Sequence, residues 1–267
     1  MLSSFTPHFK GRGFMVMNYI KVYPVKLPLI KPGDCLAELI ASSFKLEDGD
    51  IIAICSTVVS KAEGRIAKIK DYKPSEKAKE LSKKLNIEAE FVQAVLEESE
   101  EILIEEPFLL VKAKFGNICV NAGIDKSNIE AGNIILPPRD PDKSARIIKE
   151  KLEKITGKRV GVIITDTNGR CFRKGVVGFA IGVAGVKAMR RWIDKTDLFK
   201  NRLQKTIECV VDEIAAFANL VMGEGDWGIP VVVFRGLKEL LGEGSIMEVY
   251  RDEKEDIIRR SLKNLKK

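Results

Sequence analysis

Two acidic residues stand where apolar runs end: Asp166 after "GVIIT", and Asp125 in "NAGID" after "NICV". Thr167 follows the first and Asn128 lies just beyond the second. Carboxylates with a hydroxyl and water form the hard-oxygen donor set that magnesium or manganese prefers. Arg170, Arg173 and Lys174 come soon after Asp166 and could hold carboxylates or phosphate. The same residues also suit a plainer reading. Asp, Asn and Gly are common turn formers, so "DTNG" reads equally as a β-turn and the cations as a solvated basic turn. Gly123 in "AGID" reads as a turn glycine on the same grounds.

Histidine limits the chemistry. The only one is His8, near the start of the chain. Ser-His-Asp and Cys-His triads, HExxH zinc sites and histidine bases are therefore excluded, leaving carboxylates, hydroxyls, lysine, arginine, backbone amides or a hard metal. No G-x-x-x-x-G-K-[ST] occurs, which excludes a P-loop. "MGEGDWG" matches G-x-G-x-x-G through Gly223, Gly225 and Gly228. A helix precedes it and a strand follows, the reverse of the dinucleotide fingerprint. It reads either as a helix C-cap with extra glycines or as an anion-binding loop with Glu224 or Asp226 on a metal. Lys61 in "STVVSK" could pair with a phosphate as a point charge, or simply be solvated. Ser56 and Thr57 lie late in or after the same buried run.

The elements that must position these residues alternate. "YIKVYPV" predicts a strand, "CLAELIASSF" a helix and "EDGD" a turn. "IIAICSTVVS" predicts a strand buried on both faces. "PSEKAKELSKKLN" and "EAEFVQAVLEESEEIL" predict helices, the acids of "LEESEE" forming a solvent face. "FLLVKAKFGNICVNAGI" holds one or two strands, and "SARIIKEKLEKITG" is a helix closed by Gly157 before the strand "RVGVIIT". "CVVDEIAAFANLVMG", "IPVVVFRG" and "EKEDIIRRSLKNLKK" predict helix, strand and helix. The fold class expected is α/β, mixed α+β.

At 267 residues the chain can bury a sizeable core. No apolar run approaches the ~20 residues that span a bilayer, so no membrane partner is expected. Cys35, Cys55, Cys119, Cys171 and Cys209 are scattered without a CxxC pair, which points to a reducing cytoplasm rather than a disulfide framework or zinc site. The net charge of +7 suits anionic ligands. Its cations are interleaved with 38 acids and no basic segment carries interleaved aromatics, so nucleic acid is not expected. Residues 1–16 lack an apolar h-region and the later periodicity; they are set apart as an N-terminal extension, with Met15 or Met17 as alternative starts. Residues 17–267 form the expected catalytic unit, in two subdomains.

Taken in order, "LPLI", "CSTVVSKAEGR", "FGNICVNAGIDKSN", "GVIITDTNGRCFRKGVVGFAIGVAGVKAM" and "DEIAAFANLVMGEGDWGIPVVVFRG" closely resemble the archaeal coenzyme F-420 γ-glutamyl ligases. The resemblance runs from about Tyr19 to the C-terminus. It implies a two-part α/β unit assembled as an intertwined homodimer. It also implies GTP-dependent addition of L-glutamate to the deazaflavin coenzyme precursor through an acyl phosphate, with two Mg2+ or Mn2+ ions and stimulation by K+. Carried across, metal ligation falls on Asp125, Asp166, Thr167 and Glu224, with Asp125, Asp166 and Lys61 the catalytic residues. Nucleotide contacts fall on Leu27, Pro28, Leu29, Ile30, Ser56, Thr57, Lys61 and Asn128. Further nucleotide contacts fall on Val221, Met222, Gly223, Glu224, Gly225, Asp226, Trp227 and Gly228. Two other readings compete: a metal-dependent nucleotide phosphohydrolase or kinase using the same acids, and a non-catalytic binder of deazaflavin or nucleic acid.

Overall fold

Side chains alternate across a strand, so a strand apolar at every position must be covered on both faces. Strand β2 (Ile51–Cys55) is such a strand, and it lies at the centre of the computed structural model, which describes residues 19–265. Ile52 and Ile54 pack into one apolar cluster; Ile51 and Ala53 pack into another on the opposite face. The neighbouring strands β8 (Gly161–Arg170) and β12 (Val231–Arg235) divide in the same way. Val162, Ile164, Val231 and Val233 face the first cluster, Ile163, Val232 and Phe234 the second. Fully burying each such side chain stabilises the fold by about 1.5–3 kcal/mol.

The remaining elements, in chain order, are as follows. Strand β1 (Lys21–Val25) and helix α1 (Leu36–Ser43) precede β2, and helix α2 (Ser56–Ala62) follows it directly. Then come β3 (Ile66–Lys68), α3 (Glu76–Leu85), α4 (Ala89–Glu97), β4 (Ser99–Ile104), β5 (Leu110–Ala113), β6 (Ile118–Val120), β7 (Asn133–Ile135) and α5 (Pro141–Thr156). After β8 lie β9 (Arg173–Ala184), β10 (Met189–Arg191), β11 (Ile207–Cys209) and α6 (Val210–Met222); α7 (Ile257–Leu265) follows β12. The main sheet has the order β1-β12-β2-β8-β9, and smaller sheets join β4-β5-β6, β3-β7 and β10-β11. The chain is thus a mixed α/β fold, as expected. Among the described residues no helix is long and apolar enough to cross a membrane.

Helix α5 brings Ala145, Ile148 and Leu152 to the first cluster, which continues into α3, α4 and the β4-β5-β6 sheet. Helix α6 brings Val211, Ile214, Ala215 and Ala218 to the second. Ile164 pairs with Gly182 but Thr165 with Ala180, so Ile181 is an extra residue on β9. Such a bulge switches which face the following side chains meet. A Cβ on Gly178 would lie 2.3 Å from the Ala215 carbonyl oxygen of α6, whereas one on Gly182 would lie 2.5 Å from the backbone of Pro141 in α5. The two glycines let helices on opposite faces touch one strand.

Several expectations need correction. "IIAICSTVVS" is not one strand: sheet pairing stops at Cys55, and Ser56 opens α2. A buried apolar run does not distinguish strand from helix by periodicity alone. "EAEFVQAVLEESEEIL" is likewise divided, α4 ending at Glu97 and β4 starting at Ser99. Of the acids in "LEESEE" only Glu97 lies on an exposed helix turn; the others follow the helix and are ion-paired. Glu98 pairs with Arg65, Glu100 with Lys112 and Glu101 with Arg259. "DTNG" is not a turn either. Residues 166–169 continue β8 in register with β9, the register shifts at Arg170, and the reversal comes at Cys171 and Phe172, the latter with φ 65°. Strand β9 itself had no expected counterpart. The extension, residues 1–16, and His8 lie outside the described residues.

Gly178→Ala is expected to lower unfolding stability by about 1–3 kcal/mol, because a well-packed contact must open to admit a methyl group. Urea denaturation checks it; an unchanged midpoint would show that α6 does not need the close approach.

Candidate active site

Strands β2 and β8 run parallel and in step, with Cys55 opposite Thr165, so both carboxyl ends reach the same edge of the sheet. Open α/β sheets gather ligands at such ends. Strand β12 is antiparallel to β2, so the loop before it arrives at that edge; the Cys55 amide donates to the Pro230 carbonyl at 2.9 Å. Strand β1 ends there too, with Val25 opposite Val231, and sends residues 27–30 past the same point. These segments enclose a cleft of about 360 Å³.

The structure brings most of the sequence-derived candidates together. Leu27, Pro28, Leu29, Ile30, Thr57, Lys61, Asp125, Asn128, Asp166, Thr167, Met222, Gly223, Glu224, Gly225, Asp226 and Gly228 all line the cleft. Ser56 is buried, and its hydroxyl hydrogen bonds the Asp166 carboxylate. Val221 packs against the second core cluster, and the half-exposed Trp227 lies against Gly223; neither lines the cleft. Arg170, Arg173 and Lys174 do not line it either. They sit at the far end of the β8–β9 hairpin, where Arg170 Nη1 donates to the Gly175 carbonyl at 3.3 Å.

Asp125 comes from a different part of the chain and is fixed twice. Its backbone exchanges two hydrogen bonds with Ile135, at 3.0 and 2.8 Å. Its carboxylate accepts from the Ser127 amide and hydroxyl, each at 2.7 Å. This Asx turn folds the next residues back, and Lys61 Nζ donates to the Asn128 carbonyl at 2.5 Å. Glu224 is held by Asn219, whose Nδ2 donates to its Oε1 at 2.6 Å.

Asp166 bears an electrostatic load. It keeps some exposure to the cleft, yet desolvation pushes its pKa up to about 6, with the charges of Asp125 and Glu224 adding to the rise. Hydrogen bonds from the Thr167 amide, 2.9 Å away, and from Ser56 oppose that rise. Burial likewise raises the Cys55 thiol and lifts Cys119 to about 12, so neither is poised as a nucleophile.

The donor set fits a divalent ion of the magnesium type. Among the described residues no three His, Cys, Asp or Glu side chains form a ready-made metal cage. Magnesium rarely uses one; it binds through one or two carboxylates together with water and substrate phosphates. Asp125 and Asp166 would supply the carboxylates, and the Asp125 charge that disfavours ionised Asp166 is what a cation would relieve. Sequence reasoning missed Thr165, Ser127 and Asn219. Thr165 Oγ1 is buried without a hydrogen bond in the described protein. The Ser127 role is visible in the "DKS" pattern of an Asx turn; nothing local in the sequence marks Asn219.

The fold and site define an α/β protein with an oxygen-rich acidic cleft at its strand ends. The profile of the family described as F420-0:gamma-glutamyl ligase matches residues 24–236, and the chain belongs to that family. It is 64% identical over 245 residues to "Coenzyme F420:L-glutamate ligase" of Archaeoglobus fulgidus, covering 91% of this chain and 98% of the relative. The protein of the same name from Methanosarcina mazei is 46% identical over 251 residues, covering 94% and 99%. That from Methanocaldococcus jannaschii is 44% identical over 243 residues, covering 90% and 97%. The resemblance drawn from the sequence segments is borne out.

A raised carboxylate pKa destabilises the fold wherever the group must ionise. For Asp166 that penalty is absent below the unfolded value near 4 and complete above about 6. Without metal, Asp166→Asn is expected to be about 1–2 kcal/mol more stable than the parent at pH 7, discounted for its residual exposure, and no different at pH 3. Urea titrations in chelator at both pH values test this; a less stable variant at pH 7 would contradict it.

Proposed function

We propose that the chain is a GTP-dependent ligase of coenzyme F-420 biosynthesis. It adds L-glutamate to the F-420 precursor first by an amide to the lactyl carboxylate and then by a γ-linkage. The names of the relatives support the glutamate ligation. The observation that carries the phosphoryl-transfer part is the convergence of Asp125, Asp166 and Lys61, from distant parts of the chain, on one cleft.

Joining a carboxylate to an amine near neutral pH is uphill, so the carboxylate must be activated. A carboxylate oxygen of the precursor attacks the γ-phosphorus of GTP, the bond to the bridging oxygen breaks, and GDP leaves. The glutamate amine then attacks the acyl carbon, the acyl–oxygen bond breaks, and phosphate leaves as nitrogen gives up its proton. Such transfers need positioning and charge neutralisation more than covalent help from the protein.

Asp125, Asp166, Thr167 and Glu224 would hold Mg2+ or Mn2+, two ions in this proposal, which when bound neutralise charge on the transferring phosphate; K+ is proposed as a further activator. Lys61 spends one of its three N–H donors on the Asn128 carbonyl, leaving two for phosphate oxygens. Backbone amides of residues 223–228 cradle phosphate, and residues 27–30 cover the nucleotide with apolar surface. Arg170, Arg173 and Lys174 remain proposed only as contacts for substrate carboxylates, in an assembly that brings the hairpin tip to a cleft. That assembly is a homodimer in this reading, supported by the exposed Phe172, Leu198 and Phe199, which are 96%, 92% and 87% accessible.

Mass spectrometry of the F-420 precursor after incubation with GTP, Mn2+ and glutamate is expected to show added glutamate. GDP release should require both precursor and glutamate; equal release without glutamate would instead favour the phosphohydrolase or kinase. Asp166→Ala should abolish turnover while remaining folded, and an active variant would refute its assignment. Binding that survives both Asp125→Asn and Asp166→Asn, with no glutamate incorporated in the parent, would indicate a non-catalytic binder. Light scattering should give twice the 29.8 kDa chain mass, and a monomer would overturn the assembly.

A further inference from the structure

We propose that the aromatic ring system of the acceptor coenzyme binds outside the carboxylate cleft, in a second cavity at the free edge of β9. This inference rests on the ligase reading and deepens it. The second cavity measures about 760 Å³ against about 360 Å³ for the first. A nucleotide in the smaller one leaves little room there for a bulky ring system as well, yet the acceptor carboxylate must still reach the γ-phosphate beside Asp166.

The geometry of the hairpin meets that requirement. Asp166 on β8 is directly opposite Phe179 on β9. Cross-strand partners share a face and lie about 5 Å apart at Cβ. Asp166 lines the first cavity and Phe179 the second. Phe115 brings the two cavities equally close from the other side. The point where a side chain on Gly123 would begin lies 3.6 Å from Asp166 Oδ2 and 3.7 Å from the Phe115 ring, and that ring lines the second cavity. A ligand seated there has its reacting end only a side chain's width from the phosphoryl-transfer centre.

The lining suits a planar aromatic ring system; its five acids and four cations nearly balance, so an anionic group must meet the cations that are left unpaired. Phe115, Phe179, Tyr250, Ile118 and Met247 offer ring faces, aliphatic surface and a polarisable thioether. The wall is closely built: a Cβ on Gly116 would come within 3.0 Å of the Tyr250 ring. Charge at the mouth is divided unevenly. Glu100 and Glu253 are paired with Lys112 and Arg259. Asp212, Asp252 and Asp256 accept backbone N–H bonds from Ala180, Lys254 and Arg259. Lys114 and Arg251 are exposed and, among the described residues, make no ion pair. Unpaired cations beside an apolar slot suit a ring system that carries a phosphodiester.

The test uses the full chain and the precursor's own fluorescence. Equilibrium titrations without GTP or glutamate give its Kd; steady-state assays give KM for each substrate. Lys114→Ser with Arg251→Ser, and separately Met247→Glu, should each raise the acceptor Kd and KM about ten-fold, a loss equivalent to about 1.4 kcal/mol. The KM for GTP should stay within about two-fold, the scatter expected for a site that is not touched. All three positions are exposed, so the thermal midpoint should hold. Unchanged acceptor binding in both variants overturns the second site. Equal losses for GTP and acceptor place both in one cleft and overturn it too. A parent enzyme that adds no glutamate overturns the ligase reading itself, which separates that failure from this one.

Discussion

The pairing of β2 with β8 is the constraint on which the rest depends. Both strands are apolar on both faces, so both must lie inside the sheet, and their parallel register puts Cys55 beside Thr165. At that line the two chains diverge. β2 gives way at once to α2, while β8 runs on as an extended arm carrying Asp166 and Thr167. The antiparallel neighbour β12 then has its start, rather than its end, at the same edge, which delivers the glycine-rich loop. A sheet with an antiparallel β2–β8 pair would put Ser56 and Asp166 at opposite ends.

Holding carboxylates together works against the fold and in favour of the ligand. Asp166 sits where desolvation and the neighbouring acids both disfavour its charge. The protein offsets this only in part, through the Thr167 amide and the Ser56 hydroxyl. Asp125 is stabilised separately, by its Asx turn and its backbone exchange with Ile135. Two carboxylates thus arrive by rigid, independent routes. Strongly perturbed carboxylates in a cleft are more often functional than structural, because a purely structural role would favour a neutral side chain.

The fold class and most helices could be read from the sequence, since helix starts and stops are local. Ser75 caps α3 and Gly157 closes α5 in the left-handed region, both as expected from their positions. The misreadings have two causes: pairing partners outside the segment that override its composition, and burial that does not tell strand from helix. "DTNG" has turn composition, but the ladder to β9 overrides it. "LEESEE" has helix composition, but Lys112, Arg65 and Arg259 draw its acids into a strand region. "STVVS" could not be separated from the strand before it, because burial alone says nothing about backbone geometry. Asp125, Asp166 and Lys61 were legible as polar residues at or just after the ends of apolar runs, whereas residues 27–30 were named only through the family resemblance. The helpers were not legible, since Asn219 is an ordinary helix residue until Glu224 folds back on it.

One carboxylate outside the site shows how the C-terminal segment is fastened to the catalytic frame. Asp142, in the first turn of α5, accepts from the Val183 amide of β9 at 2.7 Å, and from the Ser245 hydroxyl at 2.7 Å. It also accepts from the Ile246 amide at 3.1 Å. The strand bulge at Ile181 and the segment leading to Met247 and Tyr250 are therefore tied to a single group. The family profile ends at residue 236, before that segment begins. One side of the second cavity, from Met247 to Arg259, is thus built from chain that the profile does not cover, yet it is anchored to the strand that faces Asp166. A charged group that spends its lone pairs on three separate backbone and side-chain donors fixes position as well as contact. It ties the segment that carries Met247 and Tyr250 to the same strand that carries Phe179.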